Sequence, residues 1–207
     1  ILPTPLRLGV DMTYTGKGVT ICMIDSGFYL HPDLVRPDNR ILHIRDITKQ
    51  EQCIDDFTKP EVHAWHGTMT SVVCAGNGNL SSGLYRSIAP DVNLVLLKVT
   101  DAEGVITGKN IVRAIDWAIA HAKLYNIRII NLSVTDDESN SYQQNEVDLA
   151  VRRAVDKGIV VIAASGNDPQ ATLKAPATSP HAITVGGLND RNTLDPLTNT
   201  LYHSTYG

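Results

Sequence analysis

The sequence has no apolar stretch long enough to span a bilayer, so no membrane partner is expected. It also lacks a run of basic residues. Its 18 lysines and arginines are mixed with 22 acids, for a formal net charge of −4, and this leaves no electrostatic footprint for nucleic acid. Cysteine is scarce and odd in number: Cys22, Cys53 and Cys74 cannot all pair within one chain. No CxxC or Cys/His spacing marks a zinc site. Cys22 and Cys74 stand in apolar stretches, where a free thiol behaves as a small buried hydrophobe. Unpaired thiols favour a reducing, cytoplasmic compartment and leave secretion open. Internal repeats, low-complexity tracts and linkers are absent. No methionine or signal peptide precedes Ile1-Leu2-Pro3, so a processed or clipped product is expected.

What is present is ordinary globular composition, 43% hydrophobic and 19% charged. A chain of this size buries a large core without disulfide or metal staples, and residues 1–207 read as one domain. Short apolar runs recur at Val19 to Ile24, Val92 to Val99, Ile127 to Leu132, Ile159 to Ala164 and Ile183 to Val185. Apolar on both faces, they read as strands of a parallel sheet covered on both sides.

Helical periods lie between them. Ile111, Ala114, Ile115, Ala118, Ile119 and Ala122 form one stripe, with Asn110 as its start. Val147, Ala150, Val151, Ala154 and Val155 form another, ended by Gly158 as a left-handed cap. The expected fold is α/β, a three-layer, mostly parallel sheet flanked by helices. In such sheets chemistry gathers beyond the carboxyl ends of the strands.

Three polar residues stand at such positions. Asp25 ends the first apolar run in Ile24-Asp25-Ser26-Gly27, ahead of His31-Pro32-Asp33-Leu34. An aspartate before Ser-Gly also serves commonly as a turn cap. His66, in Trp65-His66-Gly67-Thr68, precedes the apolar Val72, Val73 and Ala75, and Gly67 permits close approach of another backbone. A lone histidine there also reads as a hydrogen-bonded structural residue. His63, three residues earlier, reads as surface. Asn167 closes Ala163-Ala164-Ser165-Gly166-Asn167, where its amide can donate to a developing oxyanion or simply complete a turn.

Taken together and in order, these segments resemble the subtilisin-like serine proteases. Asp25-Ser26-Gly27 with His31-Pro32-Asp33-Leu34 is similar to the family's aspartate motif, His66-Gly67-Thr68 to its histidine motif, and Ala164-Ser165-Gly166-Asn167 to its oxyanion-asparagine motif. Ile88-Ala89-Pro90-Asp91 and Ile130-Asn131-Leu132-Ser133 also match family segments, and the likeness runs from about Gly16 to Gly207. The resemblance implies a serine endopeptidase with an Asp-His-Ser triad. His66 is then the general base, Asp25 its orienting partner and Asn167 an oxyanion donor. It also implies an extended polypeptide substrate held between two enzyme edges, around Gly104, Val105, Ile106 and Thr107 on one side and Ser133-Val134 on the other, near Gly166.

The sequence departs from the family at its nucleophile. The family's Gly-Thr-Ser tripeptide is absent, since the only Gly-Thr is Gly67-Thr68 and Met69 follows it. The expectation is a domain incomplete at its C-terminal end and inactive alone, whose partner is the missing part of its own domain. It should expose apolar surface and unpaired strand edge. The alternative is a catalytically inactive pseudoprotease that keeps the peptide groove. A dinucleotide-binding reading of Gly76-Asn77-Gly78 lacks the preceding strand. Thr135 stands where many members carry glycine, and Met69 where many carry a second histidine. Catalysis of this kind requires no cofactor. Structural calcium is conceivable by resemblance in the loop Asn77 to Tyr85, through Asn77 and Asn79, but no carboxylate-rich loop supports it.

Overall fold

The computed structural model describes residues 1–51, 54–136 and 141–205, so Cys53 and the end of the chain at Tyr206 and Gly207 lie outside the described residues. In chain order the elements are α1 (Thr4–Arg7), β1 (Thr20–Asp25), α2 (Pro32–Val35), β2 (Ile41–Asp46), α3 (Ala64–Ala75), β3 (Asn93–Lys98) and α4 (Gly108–Tyr125). They continue with β4 (Ile127–Leu132), α5 (Glu146–Asp156), β5 (Val160–Ala164), β6 (Ile183–Val185), β7 (Leu188–Asn189) and β8 (Thr200–Leu201). Six strands form a parallel sheet in the order β2-β3-β1-β4-β5-β6, and β7 pairs antiparallel with β8. The expected α/β fold is the observed one. The chain lays β2 and β3 on one side of β1, then β4, β5 and β6 on the other. The carboxyl end of β1 therefore lies where the winding reverses, the place such sheets use for ligands.

Strand alternation builds the three layers. Cys22 and Ile24 of β1, with Val95 and Leu97 of β3, face Ile111 and Ile115 of α4 and Val147 and Val151 of α5. Ile21 and Met23, with Leu94 and Leu96, face the opposite side and pack with Leu34 of α2 and Ala75 of α3. That opposite face is covered only in part. Over β5 and β6 it leaves Val160, Ile183 and Val185 roughly half exposed.

Local signals place the helix ends. α4 starts earlier than Asn110: the Thr107 side chain is the cap and accepts the Asn110 amide at 3.3 Å. The Asn110 side chain is buried and donates to the Val99 carbonyl at 3.2 Å, so this residue ties α4 to the end of β3. Asn145 caps α5 through the amides of Val147 and Asp148. Gly158, at φ +78°, ends α5 as expected, with its amide bonded to Val155 and that of Ile159 to Ala154. This is the paired bonding of a Schellman cap.

β2 is not a continuous apolar run, because His43, Arg45 and Asp46 interrupt it. It is an edge strand, and only part of its surface needs to be apolar.

Candidate active site

Asp25, the last residue of β1, is 1% exposed. A buried carboxylate requires donors, and this one has several. Its Oδ1 accepts from the Ser26 amide at 2.6 Å, the Ser26 hydroxyl at 3.2 Å and His66 Nδ1 at 2.7 Å. Its Oδ2 accepts from the Thr70 hydroxyl at 3.0 Å. With Asp25 ionised, Nδ1 carries the proton and Nε2 is left as an acceptor, without a partner among the described residues. The hydrogen bond to Asp25 raises the imidazole pKa above its ordinary value, burial opposes that rise, and the Asp25 charge adds to it.

His66 reaches this position because the fully buried positions of α3 carry only small or hydroxyl-bearing residues. The buried face of the helix consists of Ala64, Gly67, Thr68, Ser71 and Ala75, while Trp65, Met69 and Val73 are exposed. Small buried residues let the helix lie close on the end of β1. The polar ones are satisfied locally: Thr68 and Ser71 donate to the carbonyls of Ala64 and Gly67 at 2.6 and 2.7 Å. Gly67 sets the closest approach. A Cβ there would strike the Gly27 carbonyl oxygen and lie 2.9 Å from Asp25 Cβ. Gly27 is as constrained, since its Cβ would lie 2.8 Å from the His63 carbonyl oxygen.

Asn167 lies three residues beyond β5, exposed, with no side-chain hydrogen bond among the described residues. One strand separates β1 from β5, so Asp25 and the 165–167 turn lie roughly 10 Å apart across the sheet edge. Ser133 follows β4 directly, and its hydroxyl accepts from Asn131 at 3.0 Å. The Val134 side chain is buried in the core, which leaves only its backbone to line a groove. Gly104 sits at φ +86°, and its missing side chain makes room for the His63 ring. His63 is exposed as expected, yet it is not idle: its carbonyl accepts the Ser26 hydroxyl at 2.9 Å. Val105 is half exposed, and Ile106 pairs antiparallel with Thr100. Gly166 accepts the Thr205 amide through its carbonyl at 3.1 Å.

Two features here have no sequence signal in the family motifs. Thr70 grips Asp25 from α3. Beyond the 104–107 and 133–134 segments, a cavity of about 260 Å³ is lined by Gly108, Val112, Val147 and the buried Asp136. A larger cavity, about 390 Å³, runs beside β2 and holds no comparable acid–base couple. Among the described residues no cluster of three or more His, Cys, Asp or Glu is arranged to hold a metal. The Asn77 side-chain oxygen accepts the Asn79 amide at 3.0 Å.

An open parallel sheet whose carboxyl edge holds a buried aspartate bonded to a half-exposed histidine defines a narrow class of α/β proteins. The chain belongs to the subtilase family, whose sequence profile matches residues 16–206. It is 37% identical over 193 residues to the serine protease AprX of Bacillus subtilis, covering 87% of this chain and 40% of that protein. It is 31% identical over 185 residues to subtilisin E of the same species, covering 86% and 43%. Among solved structures it resembles the S41 psychrophilic protease (TM-score 0.71, 28% identity, 93% of this chain and 60% of that one). Sphericase is similar as well (TM-score 0.70, 28% identity, 92% and 60%). The chain thus spans less than half the length of these two sequence relatives.

Proposed function

We propose that the whole protein is a serine endopeptidase in which this chain supplies the base, its orienting acid and an oxyanion donor. His66 Nε2 takes the proton of a serine hydroxyl as the oxygen attacks a peptide carbonyl, and then passes it to the leaving amine. Asp25 holds the Nδ1–H tautomer and stabilises the imidazolium while it exists. The Asn167 amide donates to the oxyanion of the tetrahedral intermediate. The serine is carried outside these 207 residues. The substrate is an extended polypeptide lying between Gly104–Ile106 and Ser133–Val134, beside Gly166.

The observation that carries this reading is the 2.7 Å contact of His66 Nδ1 with a buried Asp25, which leaves Nε2 without a partner among the described residues. The names of the relatives support it, each being a protease. The exposed apolar surface fits the rest of the domain as its cover: Val160, Ile183 and Val185 on the sheet, with Trp65, Met69 and Val73 on α3.

A fluorophosphonate that labels activated serines tests the proposal on the full-length protein. Label that disappears in His66→Ala supports it. A folded full-length protein that takes no label is instead a peptide-binding pseudoprotease.

A further inference from the structure

We infer that Thr70 is a positioning residue for the Asp25–His66 couple, acting through the second oxygen of the aspartate. This rests on reading the couple as the base of a peptidase, but it is tested without turnover.

The Thr70 hydroxyl has one proton and two acceptors at equal distance, Asp25 Oδ2 and the Gly67 carbonyl, each at 3.0 Å. The Gly67 carbonyl is already served. It accepts the Ser71 hydroxyl at 2.7 Å and, as part of a regular helix, the Ser71 amide. Asp25 Oδ2 has no other donor among the described residues, and Asp25 is sealed from water at 1% exposure. An ionised acceptor also draws a stronger bond than a carbonyl that is already occupied. The proton therefore goes to Asp25.

The consequence is geometric. His66 and Thr70 are four residues apart and stand on one face of α3, a turn from each other. One holds Oδ1 and the other holds Oδ2. Two points on one rigid helix thus fix the plane of the carboxylate relative to the imidazole. The Ser26 contacts, both on Oδ1, restrain its position without restraining its rotation.

The consequence is also electrostatic. A donor on Oδ2 draws charge away from Oδ1 and moderates the hold of Asp25 on the imidazolium. Losing it leaves more negative charge on the carboxylate, Oδ1 included, and raises the His66 pKa further.

The test is a titration of the His66 ring by NMR in the full-length protein with 13C-labelled histidine, the signal being assigned by its loss in His66→Gln. Thr70→Val keeps the shape and removes the donor. Its His66 pKa is expected to rise by on the order of half a unit. Thr70→Ser keeps the donor and is expected to restore the wild-type value. A pKa unchanged in Thr70→Val, or shifted equally in both variants, overturns the inference. Should Thr70→Val not fold, Thr70→Ala removes the same donor and is read by the same titration: a raised His66 pKa supports the inference, and an unchanged one overturns it.

Discussion

Gly67 and Gly27 face each other across the junction of α3 and β1, with no room for a side chain on either. The contact is what lets His66 reach Asp25, since any widening of the junction carries the imidazole away from the carboxylate. We expect Gly67→Ala to cost about 1–3 kcal/mol through overpacking and to slow fluorophosphonate labelling of the full-length protein. Chemical denaturation and labelling rates measure the two effects. Labelling at the wild-type rate would mean that the junction is slack.

Asp25→Asn removes the charge behind the His66 base and favours the wrong imidazole tautomer. A drop in kcat of about 10⁴-fold is expected in the full-length protein.

The raised pKa of His66 has two consequences of definite sign. The base works only when neutral, so kcat/KM should rise with pH through a midpoint above the ordinary 6.5. The stabilisation from the charged pair is fully present below 6.5 and is lost as pH rises through the raised folded value. A pH-rate midpoint below 6.5 would contradict the site geometry.

Asn167 is exposed and its side chain has no hydrogen bond among the described residues, so truncating it removes a donor without disturbing the fold. Asn167→Ala should lower kcat by about 10²–10³-fold, the loss known for such a donor in a subtilisin, and leave the melting temperature unchanged.

Asp148 is buried at the start of α5, with one carboxylate oxygen bonded to Thr178 and the other without a partner among the described residues. Burial raises its pKa, the Thr178 bond opposes this, and the nearby Asp136 charge adds to the rise. Its contribution to stability is present below the ordinary 3.8 and is lost as pH rises through the raised value, because a charge must then stay buried. Asp148→Asn should therefore raise the melting temperature by roughly 2–4 °C at pH 7, with no gain near pH 3. A lower melting temperature at pH 7 would show that the charge is compensated.

The exposed apolar residues make the last prediction. Expressed as these 207 residues, the chain should bind a hydrophobic dye and aggregate, and Ile183→Thr with Val185→Lys should reduce both.

Much of this was legible in the residues. Strands buried on both faces must be continuously apolar, which is why β1 and β3 stand out as runs. β4, β5 and β6 are apolar runs too, though β5 and β6 leave one face half exposed, while the edge strand β2 can carry His43 and Arg45 and pass unnoticed. Helices that lie on the core with one face carry a periodic stripe, so α4 and α5 were readable. α3 was not readable in that way. Its buried face is mostly small or hydroxyl-bearing, Val72 and Cys74 are only partly buried, and Trp65, Met69 and Val73 point outward, so no apolar stripe marks the packed face.

Asp25, His66 and Asn167 were recognisable because motifs at strand and helix ends keep their neighbours in sequence. By itself the sequence determined five of the strands, the helices α4 and α5 between them, the family and the candidate residues at the sheet's carboxyl edge, because local periodicity and short-range motifs encode these. Only the tertiary structure decided that Thr70 holds Asp25, that His63 lies against Gly104 and that Asp136 borders a cavity with Gly108 and Val147. Each of these joins residues from separate elements, and such distances are set by how closely helices and strands can pack.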